Sequence, residues 1–154
     1  MWLAGRKNLP FSSPLRTDQP IPLAGVVSLA GVNDLARSLA LGNRTDTLKL
    51  SGIESQSDPA ARFAVTDPSR LLPFGLPQAL IVGSLDAEWR ISMTRAYAED
   101  ARTAGDAVTL YVAEGANHFD VVDAQSPALK MVTDAIWVMM GEPMPDEAAA
   151  ASSR

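Results

Sequence analysis

Two residues of this chain have the types and the spacing to share a proton. Asp86 follows the apolar run Ala79-Leu80-Ile81-Val82-Gly83, and His118 follows Val108-Thr109-Leu110-Tyr111-Val112 after a short turn. Both runs are continuous, rich in β-branched residues or Leu and bounded by turn residues, the pattern of buried parallel strands. The separation of 32 positions from Asp86 to His118 is what one helix and one strand need to set the ends of neighbouring parallel strands side by side. Ligand and catalytic groups gather at the carboxyl ends of strands in open α/β sheets. A carboxylate at that place can accept the Nδ1 hydrogen of an imidazole, hold its tautomer and stabilise the imidazolium formed when the ring takes a proton. Taken singly, His118 beside Phe119 fits a packed or turn histidine, and Asp86 fits a turn or cap residue. Their placement at successive strand ends favours chemistry.

The elements that must position this pair form a strand, helix, strand, helix series. A further strand is predicted at Gly25-Val26-Val27-Ser28-Leu29. Apolar or small residues at Met93, Ala96, Tyr97, Ala101 and Ala104 predict a helix over Ser92 to Ala104, with Gly105 as its left-handed stop. The last helix is predicted from Ser126-Pro127, a cap followed by a helix-starting proline, through Leu129, Val132, Ala135, Ile136 and Met139 to Gly141. This is an α/β pattern with about three parallel strands, near 25–29, 79–83 and 108–112, joined by right-handed crossovers and flanked by helices. Residues 36–77 form an excursion with prolines at 59, 68, 73 and 77, expected to hold one or two short helices; excursions longer than about 12–15 residues often serve as lids or binding loops. Met1 to Arg6 has the character of the last turns of an amphipathic helix. One domain is expected over 1–141, and the Ala- and Ser-rich 142–154 is expected to be a disordered tail.

Composition narrows the chemistry. The 154 residues carry 13 Lys+Arg against 18 Asp+Glu, a net charge of -5, without a basic cluster to track a phosphate backbone, so nucleic acid is not an expected partner. There is no cysteine and only one histidine, which removes thiolate catalysis, disulfides, iron–sulfur clusters and Cys- or His-rich metal sites. Asp120 and Asp123 are two carboxylates without a Gly-rich loop, a poor cage for a hard cation, and are expected to be solvated near the start of the final helix. No metal and no cofactor is expected. The N-terminus lacks a secretory pattern and no apolar run approaches the roughly 18–20 residues of a membrane span; no membrane association and a cytoplasmic location are the expectation.

The segments Gly83-Ser84-Leu85-Asp86 and Gly115-Ala116-Asn117-His118-Phe119-Asp120, with the gap between them, resemble the acid and base segments of the α/β-hydrolase superfamily. Among its members they resemble most the bacterial esterase/lipase proteins related to feruloyl esterases and arylformamidases. Gly25 to Leu35 resembles the strand after the nucleophile helix, and Trp2-Leu3-Ala4-Gly5-Arg6 the end of that helix. The resemblance covers residues 1 to about 140 and implies a partial α/β-hydrolase fold. It makes Asp86 the triad acid and His118 the general base, with a small ester or acyl compound as substrate. The family nucleophile stands on a G-x-S-x-G elbow that precedes acid and base in the chain. No G-x-S-x-G occurs in this sequence, and no HGG-type oxyanion loop. Gly25-Val26-Val27-Ser28-Leu29-Ala30-Gly31 has the wrong spacing and places Ser28 inside a strand. The expectation is therefore the acid- and base-bearing half of a serine hydrolase, inactive alone. It would pair with an N-terminal half or self-associate through the apolar edge of its first strand.

Other residues carry less. Glu88 is a weaker candidate acid than Asp86. Trp89 and Arg90 stand where family members usually carry small or apolar residues; Trp89 either walls a substrate pocket or anchors the start of the following helix. Phe63, Leu71, Leu72 and Phe74 could line an acyl pocket, with core packing the stronger expectation, and Asp34 is expected to cap a helix. The competing readings are a decayed paralogue and a small non-catalytic α/β binding domain in which Asp86 and His118 are structural.

Overall fold

The computed structural model describes residues 1–53 and 58–141; the expected tail at 142–154 lies outside the described residues. Three strands, β1 (Val26–Leu29), β2 (Gln78–Gly83) and β3 (Val108–Ala113), form one parallel sheet in the order β1-β2-β3. All six residues of β2 are buried, as expected of a central strand covered on both faces. Helices α1 (Leu35–Gly42), α2 (Asp46–Leu50) and α3 (Pro59–Thr66) lie between β1 and β2, α4 (Glu88–Thr103) joins β2 to β3, and α5 (Ala128–Met140) closes the described chain. Among the described residues no helix is long and apolar enough to cross a membrane.

The two faces of the sheet have different cores. Ala79 and Ile81 of β2 pack with Val132 and Ala135 of α5 on one side, while Leu80 packs with Tyr97, Ala98 and Ala101 of α4 on the other. A neighbouring cluster of Ala4, Leu9, Leu71 and Phe74 fixes the N-terminal segment, a 3-10 helix over Trp2–Asn8 where the last turns of an α-helix are predicted. Leu71 and Phe74 thus serve packing, as does Phe63, which is buried in α3.

The excursion is more ordered than the sequence suggests. Among the described residues it contains three α-helices and a 3-10 turn at Pro68–Leu71 rather than one or two short helices. All but α2 start on an Asp cap: Asp34 accepts from the Arg37 amide, Asp58 from that of Ala60 ahead of Pro59, and Asp67 from that of Ser69. Asp67 also accepts from the Ala36 amide at 3.0 Å, so one buried carboxylate joins two turns of the excursion. Burial pushes the Asp34 carboxyl above the usual range, opposed by the Arg37 amide.

At the opposite end of the sheet from the predicted pair, Asp106 ties the excursion to the strands. Its carboxylate accepts from the amides of Phe74 and Gly75 at 2.8 and 2.7 Å and from Gln78 Nε2 at 2.8 Å. Gln78 Oε1 in turn accepts from the Tyr97 hydroxyl at 3.0 Å. Buried donors that lose their acceptor retain the full cost of desolvation. Asp106→Ala is expected to lower the unfolding free energy by about 2–3 kcal/mol, read as a fall in urea midpoint at unchanged slope.

The same network predicts an alkaline dependence. Burial, and next the negative charge of Asp106, push the Tyr97 hydroxyl above its ordinary value of 10.0. The folded-state value lies above the unfolded one, so the contribution of this group to stability is complete below pH 10 and is lost as pH climbs through the folded value. Denaturant titrations above pH 10 should show a falling stability whose slope is smaller in Tyr97→Phe.

Candidate active site

The carboxyl ends of β2 and β3 are joined by a tight set of backbone contacts. The Ser84 amide donates to the Ala113 carbonyl at 2.9 Å and the Leu85 amide to the Ala116 carbonyl at 2.9 Å. Ser84 Oγ accepts from the Gly115 amide at 2.8 Å. Gly83 permits this approach: a Cβ there would lie 2.2 Å from the Ala116 carbonyl oxygen. The loop after β3 is closed locally, with Asp120 accepting from the Asn117 amide at 2.7 Å and Asn117 Oδ1 from the Phe119 amide at 2.8 Å. Asp120 is therefore half-buried and engaged in the turn rather than solvated, because its carboxylate replaces a missing backbone acceptor. Asp123 is exposed and caps the turn at Gln125.

These two turns bring the predicted pair together. His118 Nδ1 lies 3.0 Å from Asp86 Oδ2, the distance at which a protonated Nδ1 donates to a carboxylate. The Asp86 side chain is 3% exposed and that of His118 40%, so the carboxylate is enclosed and the ring is reachable. Nε2 has no hydrogen-bond partner among the described residues. The ring of Phe119, itself exposed, stands edge-on to the imidazole at 4.9 Å between centroids, and Leu85 is exposed beside it on the neighbouring turn.

Asp86 has two further partners, and one was missed in the sequence. Its Oδ1 accepts from the Ala87 amide at 2.7 Å and from Arg90 Nε at 3.1 Å. The buried Arg90 also donates from Nη1 to the Ala30 carbonyl at 3.1 Å. A buried carboxylate is tolerable when its charge is paired and its lone pairs are used. The available signal was the i, i+4 spacing of Asp86 and Arg90, obscured because α4 begins at Glu88 and not at Ser92. Its first turn alternates the charged Glu88 and Arg90 with Trp89 and Ile91, which breaks the apolar periodicity read from Ser92 onward.

The remaining candidates lie off this centre. Trp89 is half-buried against α1, where a Cβ at Gly42 would come within 2.6 Å of its ring. The guanidinium groups of Arg44 and Arg90 stand over it at 5.2 and 4.4 Å from the ring centroid. These are the contacts of a helix-start anchor. Glu88 accepts from the Ser92 hydroxyl on the outside of α4. Ser28 is buried in β1 and donates to Asn33 Oδ1 at 2.8 Å, which takes its hydroxyl out of use as a nucleophile.

Two solved structures share this architecture. Esterase B from Lactobacillus rhamnosis superimposes with a TM-score of 0.65 over 91% of this chain at 16% identity. The fold is like that of part of this esterase. Carboxyl esterase 2 from the mycorrhizal fungus Tuber melanosporum superimposes with a TM-score of 0.51 over 75% of the chain at 18% identity. The chain spans 48% and 43% of the lengths of these two esterases. No family model and no curated protein matches it. The three parallel strands with flanking helices thus correspond to part of an esterase-like α/β fold.

Proposed function

We propose that His118 and Asp86 are the general base and the orienting acid of a serine-hydrolase site acting on carboxylic esters, with the serine and the oxyanion donors supplied by polypeptide outside these 154 residues. The carrying observation is the 3.0 Å contact of His118 Nδ1 with the enclosed carboxylate of Asp86. In this reading Nε2 takes the proton of a serine hydroxyl as its oxygen attacks the ester carbonyl, then returns it to the leaving alcohol. Water completes the cycle through the same base, while Asp86 stays ionised and stabilises the imidazolium. The exposed rings and methyls of Phe119 and Leu85 suit an apolar portion of the ester. The open edge of β1, which pairs only with β2 among the described residues, suits the strand that would carry the nucleophile, or in its absence a second copy.

A second reading, a non-catalytic binding domain, draws on a cavity of about 610 Å³ lined by Trp2, Leu15, Leu35, Leu50, Arg62 and Val65. That cavity is not lined by His118 or Asp86, so the two readings separate by experiment. The 154-residue chain and a polypeptide that adds a G-x-S-x-G-bearing segment are exposed to a serine-directed fluorophosphonate and to p-nitrophenyl butyrate. The hydrolase reading expects labelling and turnover in the extended polypeptide alone, both abolished by His118→Ala. Turnover by the 154-residue chain through a labelled serine, or an extended protein indifferent to His118→Ala, would refute it.

A further inference from the structure

We infer that Arg90 is a positioning residue of the site. It clamps Asp86 Oδ1 so that Oδ2 is presented to His118, and it ties the pair to the end of β1 through the Ala30 carbonyl. The inference rests on the proposed dyad and extends it to a third side chain.

The geometry excludes a casual surface ion pair. Arg90 is 8% exposed and uses two different nitrogens on two different elements, Nε on Asp86 and Nη1 on the Ala30 carbonyl. The planar fork of a guanidinium fixes the angle between those bonds, which an ammonium cannot do. The Trp89 ring lies 4.4 Å from the guanidinium carbon and restrains it further. The receiving end is equally specific: Ala30 has φ +46, a left-handed conformation that costs a non-glycine residue roughly 1 kcal/mol or more. Its amide donates to the Ile81 carbonyl at 2.7 Å, so the carbonyl that Arg90 grips belongs to a residue held at both ends.

The consequence for the dyad follows from counting acceptor positions. Oδ1 is committed to the Ala87 amide and to Arg90, which leaves Oδ2 for His118. Without Arg90 the carboxylate keeps only a short local amide contact on that side and can rotate about χ2. The imidazole then loses its fixed acceptor, and with it the preference for protonated Nδ1 and free Nε2. A residue that merely supports folding would lower stability without altering the ring.

The chain holds a single histidine, so the imidazole 15N and Nδ1 proton resonances belong to His118 without assignment. Arg90→Met, Arg90→Lys and Asp86→Asn are compared with the parent at pH 8, alongside thermal unfolding. Asp86→Asn tests the dyad alone: loss of the protected Nδ1 proton supports it, and a parent-like signal sinks it together with the present inference. With the dyad upheld, Arg90→Met is expected to exchange the Nδ1 proton at least about tenfold faster, as loss of a charge-assisted contact implies, and to populate the Nε2-protonated tautomer. Arg90→Lys, which keeps the charge without the fork, is expected to fall between parent and Met. A folded Arg90→Met with parent-like exchange and tautomer overturns the inference whatever its melting temperature. Should the Met variant not fold, a parent-like signal in Arg90→Lys overturns it instead.

Discussion

Gly83→Ala is expected to destabilise the chain by about 3 kcal/mol and to erase the protected His118 proton in whatever fraction stays folded. The new methyl would stand 2.2 Å from the Ala116 carbonyl oxygen and 2.7 Å from its carbonyl carbon. Both are backbone atoms, which no rotamer change can move. That carbonyl accepts from the Leu85 amide, so relief of the clash requires the two strand-end turns to part, and those turns carry Asp86 and His118. Against a total stability of about 5–15 kcal/mol the loss is large. Gly105 supplies the contrast: its φ is +102 but no atom lies within 4 Å of an added Cβ, so Gly105→Ala carries backbone strain alone and should leave the His118 signal intact. Thermal unfolding of both variants, followed with the imidazole spectrum, checks the pair of expectations.

Asp86→Asn, in a polypeptide that supplies the nucleophile, is expected to lower kcat about 10⁴-fold, the loss seen when this substitution is made in a serine protease triad. The local contacts say why the effect should be as large here. The amides and guanidinium around Oδ1 are all donors, the Ala87 N–H and Arg90 Nε, so an Asn carboxamide must place its oxygen there. Its NH₂ group then takes the position of Oδ2 and faces His118 Nδ1, which can only accept. The ring proton is driven to Nε2, and the nitrogen required to take the serine proton is blocked. Binding of the ester should change little, so the loss falls on kcat and not on KM.

The parts of the fold that were legible in the sequence are those governed by continuous local patterns. β2 is apolar throughout because it is covered on both faces, and its limits are marked by Pro77 and Gly83. The left-handed Gly141 ends α5 where the last helix is predicted to stop. Asp86 and His118 were legible because the α/β connection forces a fixed separation on successive strand ends. Of the excursion, one or two short helices and the Asp34 cap were legible, but the number and limits of its helices were not, although Asp58 and Asp67 also cap turns there. Those helices are short and carry few buried residues each, so apolar periodicity is weak; cap chemistry marks α1 and α3, and α2 has no side-chain cap. Arg90 and Asp106 escaped for another reason. Each acts through contacts with residues distant in the chain, Arg90 with Ala30 and Asp106 with Phe74 and Gly75, and no local pattern encodes such a partner.

The 15N spectrum of the imidazole in the unmodified chain tests the central claim most directly, because His118 is the only histidine and no nucleophile is needed to see its state. At pH 8 the dyad predicts a protonated Nδ1 bearing a slowly exchanging, strongly downfield hydrogen, and an Nε2 shifted as an unprotonated acceptor. A ring protonated at Nε2, or one averaging rapidly between tautomers as free imidazole does, would contradict the assignment of His118 as a base oriented by Asp86.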